Sequence, residues 1–65
     1  MTTIIKLFEV VKRTGLSKSS IYEKSQEGKF PKPVKLSERS SGWVESEVDA
    51  WIESRIDQRD GEVSQ

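Results

Sequence analysis

Apolar residues fall along this 65-residue chain in short runs whose spacing changes from one stretch to the next. Ile4 and Ile5 form a β-branched pair that suits a short extended segment or, equally, a loosely docked arm. Leu7, Val10 and Val11 then recur at i, i+3, i+4, so the run through Arg13 predicts a first short helix. Between Thr14 and Gly28 the apolar positions thin to a narrow stripe. Pro31 and Pro33, at alternate positions, forbid helix and demand extended chain. Period-two alternation from Pro33 to Ser37, and a returning Gly42-Trp43-Val44, predict a β-hairpin with Glu38-Arg39-Ser40-Ser41 at its tip. Val48, Trp51, Ile52 and Ile56 restore a helical face at i, i+3, i+4, i+8. Ser46 opens that last helix with a box-like Ser46-Glu47-Val48-Asp49. It is expected to run to about Arg59, roughly 20 Å. Asp60 to Gln65 is polar and reads as a frayed acidic tail.

The stretch from Thr14 to Gly28 organises the rest. Gly15 can take the left-handed conformation that ends a helix. Ser17 is a good N-cap for the next one, and Leu16 and Ile21 have the spacing of a hydrophobic staple across that cap. The second helix is expected over Lys18 to Glu27, with Gly28 stopping it. A tight glycine turn followed by a short, largely polar helix is the pattern of a helix-turn-helix recognition helix. With a charged hairpin beside it, the chain reads as a small winged helix-turn-helix, α+β but mostly α. It has two short helices, a hairpin wing and a longer C-terminal helix in one domain over residues 1–59. Trp43, Trp51, Phe30 and Ile52 are its expected core.

Composition narrows the function classes. The sequence has no cysteine and no histidine, which excludes a disulfide framework, an ordinary zinc site, and catalysis by Ser-His-Asp or Cys-His groups. No phosphate-cradling glycine loop is present, so neither an enzyme nor a cofactor is expected. No apolar run approaches membrane-spanning length and no signal segment is visible, which sets the expectation of a cytoplasmic, nucleoid-associated protein without membrane contact.

Net charge is zero, but it is unevenly placed. From Lys12 to Arg39 eight basic residues face three acidic ones, a balance of +5. From Ser40 to Gln65 two arginines face seven acidic residues, a balance of −5. Such a dipole suggests one surface facing nucleic acid and another facing elsewhere. The basic pair Lys12-Arg13 is explained equally by the dipole of the first helix and by a phosphate contact.

These residues resemble the AlpA family of prophage regulators, within the broader MerR-like winged-helix group that includes small phage excisionases. The resemblance runs over about residues 4 to 57. It is carried by Leu7-x-x-Val10, Thr14-Gly15-Leu16-Ser17, Ile21-Tyr22, Gly28-x-Phe30-Pro31-x-Pro33-Val34, Arg39, Gly42-Trp43 and Glu47-Val48-x-x-Trp51-Ile52. It implies a DNA-binding regulator of mobile elements, with the family's turn on Thr14 to Ser17, its recognition helix on Lys18 to Glu27 and its wing on Val34 to Trp43. The wing departs from the family pattern at Ser37-Glu38, where glycines commonly precede the arginine.

A polar helix face by itself is an ordinary solvated face. Beside the turn and the wing it becomes a candidate DNA surface. The candidates are Ser17, Lys18, Ser19, Ser20, Tyr22, Glu23 and Lys24 on the second helix, and Lys32, Lys35, Arg39 and Ser40 on the wing. Ser19, Ser20 and Lys24 can reach base edges or phosphates, and Glu23 can accept from a cytosine amino group. Ser17 is fully explained as a cap. Tyr22 is expected to be half-packed, with its hydroxyl free. Lys32 and Lys35 also serve to protect a strand edge, whereas Arg39 has no such duty and suits a minor groove. The expected partner is double-stranded DNA, bound by a cooperative multimer that forms little or no oligomer in solution.

Three roles fit these residues: a transcriptional regulator of integrase or excision genes, a recombination directionality factor bending an attachment site, and a protein-interaction module. The last would dock its acidic C-terminal helix on an integrase or RNA polymerase.

Overall fold

The computed structural model describes residues 2–63, with side chains through Gly61. The elements run β1 (Ile4–Ile5), α1 (Leu7–Thr14), α2 (Lys18–Gln26), β2 (Val34–Ser37), β3 (Ser40–Val44) and α3 (Glu45–Val63). The three strands form one antiparallel sheet in the order β1-β3-β2. The N-terminal pair is therefore docked: Ile4 lies opposite Val44 and Ile5 opposite Trp43. Gly42 lets β1 come this close, because a Cβ there would stand 2.8 Å from the Ile5 carbonyl oxygen.

The helix-turn-helix closes as its residues dictate. Gly15 takes a left-handed φ of 75° and returns its N–H to the Val11 carbonyl. The Thr14 hydroxyl donates to the Val10 carbonyl at 2.8 Å and accepts the Leu16 N–H at 3.2 Å, so the turn's polar groups have partners within it. The Ser17 hydroxyl accepts the Ser20 N–H and caps α2. At the other end Gly28, φ 78°, and Lys29 return their N–H groups to Ser25 and Lys24. This pair of bonds is the Schellman arrangement. It leaves Glu27 as the C-cap, outside the helix it was expected to finish.

The core lies between the helix pair, the sheet and the first turns of α3. Val10, Ile21, Trp43 and Val48 are fully enclosed, Ile5 and Phe30 nearly so, and Leu7, Val11, Leu16, Trp51 and Ile52 pack around them. The Pro31 carbonyl anchors the proline segment by accepting both the Trp43 indole N–H at 2.9 Å and the Ser25 hydroxyl at 3.1 Å. The Phe30 ring meets Trp51 edge-on at 4.9 Å, and the Trp51 indole N–H donates to the Lys29 carbonyl at 2.7 Å.

Two further elements differ from their sequence expectation. The wing turn is tighter: Ser37 pairs with Ser40, leaving only Glu38 and Arg39 between the strands, and Ser40 and Ser41 belong to β3. Two-residue hairpins favour turns with positive φ. Among the described residues no non-glycine has a positive φ, and the ladder instead shifts register between Lys35 and Ser37. A bulge absorbs the misfit that a glycine would otherwise relieve. The last helix starts at Glu45 rather than at Ser46 and continues to Val63 rather than ending near Arg59. β3 leads into it without a loop, because the Glu45 N–H extends the sheet ladder to the Thr3 carbonyl at 2.8 Å and needs no serine cap. Asp60 to Val63, expected in a frayed tail, are helical; Ser64 and Gln65 lie outside the described residues.

Candidate nucleic-acid interface

Helix α2 buries only Ile21 and Ser25. With 3.6 residues per turn, Ser19, Glu23 and Gln26 then run along its far side, and all three are exposed. Lys18 is also exposed, while Ser20 and Lys24 are half-buried on one flank. Tyr22, on the opposite flank, is 45% exposed and rests its ring 6.0 Å from Trp43. It lines a cleft of about 480 Å³ with Ser25, Gln26, Lys32 and Pro33. Helix α2 and the base of the wing therefore share one concavity.

The wing presents its strand outward. All four residues of β2 are exposed. The Lys35 ammonium donates to the Glu38 carbonyl at 3.0 Å, fastening the turn. Lys6, on the segment between β1 and α1, donates to the Ser40 hydroxyl at 3.2 Å. Arg39 is exposed at the turn and, among the described residues, makes no ion pair or side-chain hydrogen bond.

Not every predicted site residue joins this surface. The fold brings Tyr22 to Lys32 and sets Lys35, Arg39 and Ser40 along the hairpin. Lys24 instead turns toward α3, where it lines a separate groove with Leu16, Lys29, Trp51, Ser54, Arg55 and Gln58. Ser17 is committed to its cap and to a hydroxyl bond with Ser20 at 3.1 Å. Two residues beside this surface, Gln26 and Lys6, stand outside the predicted set of contacts. Gln26 stands at i+4 from Tyr22 and i+7 from Ser19, a periodicity that marks it. Lys6 has no such local signal, since its partner is 34 positions away.

Of the basic pair at the end of α1, Lys12 is exposed and Arg13 is drawn into the fold. Arg13 reaches Glu9 at 2.9 Å, Glu45 at 3.0 Å and Asp49 at 3.4 Å, tying α1 to the first turns of α3. The hydrogen bond to Arg13 holds the Glu9 carboxyl below its ordinary pKa, and the bonds to Glu9 and Glu45 raise that of Arg13. This arginine is neutralised within the fold.

The helix ends add a contrast. Both α1 and α3 carry glutamates in their first turns, Glu9 and Glu45 with Glu47, as the positive end of a helix dipole favours. The first turn of α2 has no acidic residue and begins with Lys18. With the Ser20 N–H held by Ser17, the positive dipole end of α2 carries a lysine and no acidic side chain in its own first turn.

Residues 3–56 match the family described as Prophage CP4-57 regulatory protein (AlpA). The chain belongs to the AlpA family. Among relatives of this AlpA-family chain, one from Escherichia coli (strain K12), named DNA-binding transcriptional activator AlpA, is 36% identical over 58 residues. That match covers 80% of this chain and 83% of the relative. The uncharacterized ORF88 protein of Enterobacteria phage P4 is 42% identical over 52 residues, covering 80% of this chain. This match spans 59% of the phage protein's length. The AlpA family match takes in β1, the helix-turn-helix, the wing and the inner part of α3, and stops at Ile56. Among the described residues no helix is long and apolar enough to cross a membrane.

Proposed function

We propose that this chain is a sequence-specific, double-stranded-DNA-binding regulator of a prophage or mobile element, acting on integrase or excision genes. Helix α2 enters the major groove through Lys18, Ser19, Ser20, Tyr22 and Glu23, with Gln26 added to that set. The wing lays Lys32, Lys35, Arg39 and Ser40 on the adjacent backbone or minor groove. The observation that carries this reading is the cleft joining Tyr22 and Gln26 to Lys32, with Arg39, which has no ion-pair partner among the described residues, at the end of the same hairpin. The family match and the name of the Escherichia coli relative support it.

A single module of this size buries only about 600–1,000 Å² on DNA, too little for a selective site. Several copies therefore bind cooperatively at sites about one helical turn, roughly 34 Å, apart. Lys24 sits away from the wing and serves DNA less directly than its neighbours on α2.

Fluorescence anisotropy with a labelled duplex from the flanks of the protein's own gene tests this. Across a salt series the log-log slope is expected at about −3 to −4 per protomer, the value for roughly four phosphate contacts. Arg39→Ala weakens binding about tenfold, the scale of one lost charge-assisted contact of ~1.4 kcal/mol. A folded protein that leaves the duplex free even at low salt overturns the reading.

A further inference from the structure

The outer half of α3 carries two opposed faces, and neither is used by the DNA reading. Glu53, Asp57 and Asp60 recur at i, i+4, i+7 and form an exposed acidic stripe about 10 Å long. Trp51, Arg55 and Gln58 repeat the same spacing two positions earlier, which places them roughly 200° around the axis. That second face closes a groove of about 520 Å³ against Leu16, Lys24 and Lys29. The groove has an apolar floor and a cationic rim. Its floor is fixed, because the Trp51 indole N–H is bonded to the Lys29 carbonyl and the Arg55 guanidinium lies 5.9 Å over the Trp51 ring. On its rim stand Lys24, Lys29 and Arg55. One nearby carboxylate, Glu27, lies 3.6 Å from the Lys29 ammonium, and Arg55 donates to the Gln58 side-chain oxygen at 2.7 Å. The stripe is equally lightly compensated: Asp60 is bonded by Arg59 at 2.8 Å. Among the described residues Glu53 and Asp57 have no ion-pair partner.

We propose that the acidic stripe of one copy seats in the Lys24–Lys29–Arg55 groove of a second copy of this chain. Three carboxylates then meet three cations, which matches a chain whose net charge is zero but whose two halves carry +5 and −5. Because stripe and groove lie on opposite sides of one helix, two copies cannot satisfy both by a two-fold closure. The contact is heterologous and head-to-tail, and it propagates. DNA with repeated sites supplies the alignment, so this inference rests on the proposed DNA binding for its template and names the contact behind its cooperativity.

Charge reversal tests it. Arg55→Glu spoils the groove and leaves the stripe; Asp57→Lys spoils the stripe and leaves the groove. Each variant alone is expected to bind a single-site duplex like the wild type. Each loses cooperativity on a duplex with repeated sites, where its apparent affinity falls roughly tenfold. An equimolar mixture of the two restores cooperativity, since reversed stripe meets reversed groove and native stripe meets native groove. The double variant restores it as well. Sedimentation velocity at low salt and high protein concentration reads the same contact without DNA: mass growth in the wild type, none in either single variant, and its return in the mixture. Failure of the wild type on any duplex defeats the DNA reading and leaves the sedimentation result to decide the contact. Loss of single-site binding by Arg55→Glu overturns the proposal, because the groove then takes phosphate. Cooperativity unchanged in both variants, or not rescued in the mixture, overturns it too and points the stripe toward an integrase or RNA polymerase.

Discussion

Arg13 and Arg39 are similar in the sequence and opposite in the structure. Each is an exposed arginine beside an element end, in the basic half of the chain. Arg13 is met by carboxylates from its own helix and from α3, brought across 32 and 36 positions of sequence. Arg39 stands in a two-residue turn with no such partner among the described residues. The same side chain thus joins two helices in one region and remains available to an outside anion in the other. Charge composition alone does not distinguish them. The fold does, by deciding which carboxylates it brings within 4 Å. The dipole along the chain therefore overstates the cationic surface at α1 and describes it fairly at the wing.

Trp43→Ala removes the frame on which that comparison depends. Trp43 is fully buried on β3, opposite Ile5, with its N–H on Pro31 and its ring near Tyr22. Truncating such a residue costs about 3–5 kcal/mol. A 65-residue domain has little more than that to lose. Circular dichroism at 25 °C is expected to show a largely unfolded chain, and both arginines then become solvent-exposed cations without distinct roles. A folded variant would mean that the wing and the helix pair are held apart from this indole.

Arg13→Ala, set against Arg39→Ala, breaks the comparison directly. Arg13→Ala is expected to lower the melting temperature while leaving DNA affinity at physiological salt within a factor of about two. The loss of stability shrinks as salt rises, because its ion pairs are exposed and screened. Arg39→Ala shows the reverse, with an unchanged melting temperature and weakened binding. Thermal unfolding and anisotropy on both variants give the two-by-two answer. Equal effects of both substitutions on binding would place α1 on the DNA as well.

How far the sequence reached follows the same division. The helix-turn-helix was legible because its signals are local: Gly15 for the left-handed turn, Ser17 for the cap, Leu16 and Ile21 across it. The hairpin was legible from prolines and alternation, but its exact turn was not, since the bulge at Leu36 depends on pairing with β3. The start of α3 was misplaced for a similar reason. Ser46 is a plausible cap in isolation, yet the Thr3 carbonyl, some forty positions earlier, already holds the Glu45 N–H. Helix continues through Asp60-Gly61, where composition suggested a tail. Of the candidate site, the polar face of α2 and the wing cations were readable. The placement of Lys24 on the flank away from the wing, and the reach of Lys6 to Ser40, required the fold.

The smallest expected effect sharpens what Arg13 does. Its bond lowers the pKa of Glu9, so the folded state holds that carboxylate more firmly ionised than the unfolded chain does. The sign is then fixed: stability from this pair is complete above the ordinary glutamate range and is lost as pH falls through the lowered folded value. The raised pKa of Arg13 keeps it charged throughout that window, so Glu9 is the titrating partner. Urea unfolding of the wild type between neutral pH and mild acid should show a decline to which Glu9 contributes. Glu9→Gln should start slightly less stable at neutral pH and decline less steeply, so the two curves converge in acid. Parallel curves would mean that Glu45 and Asp49 alone hold the arginine. The i, i+4 pair within α1 would then be an ordinary surface contact, and the whole strength of the Arg13 seam would lie between α1 and α3.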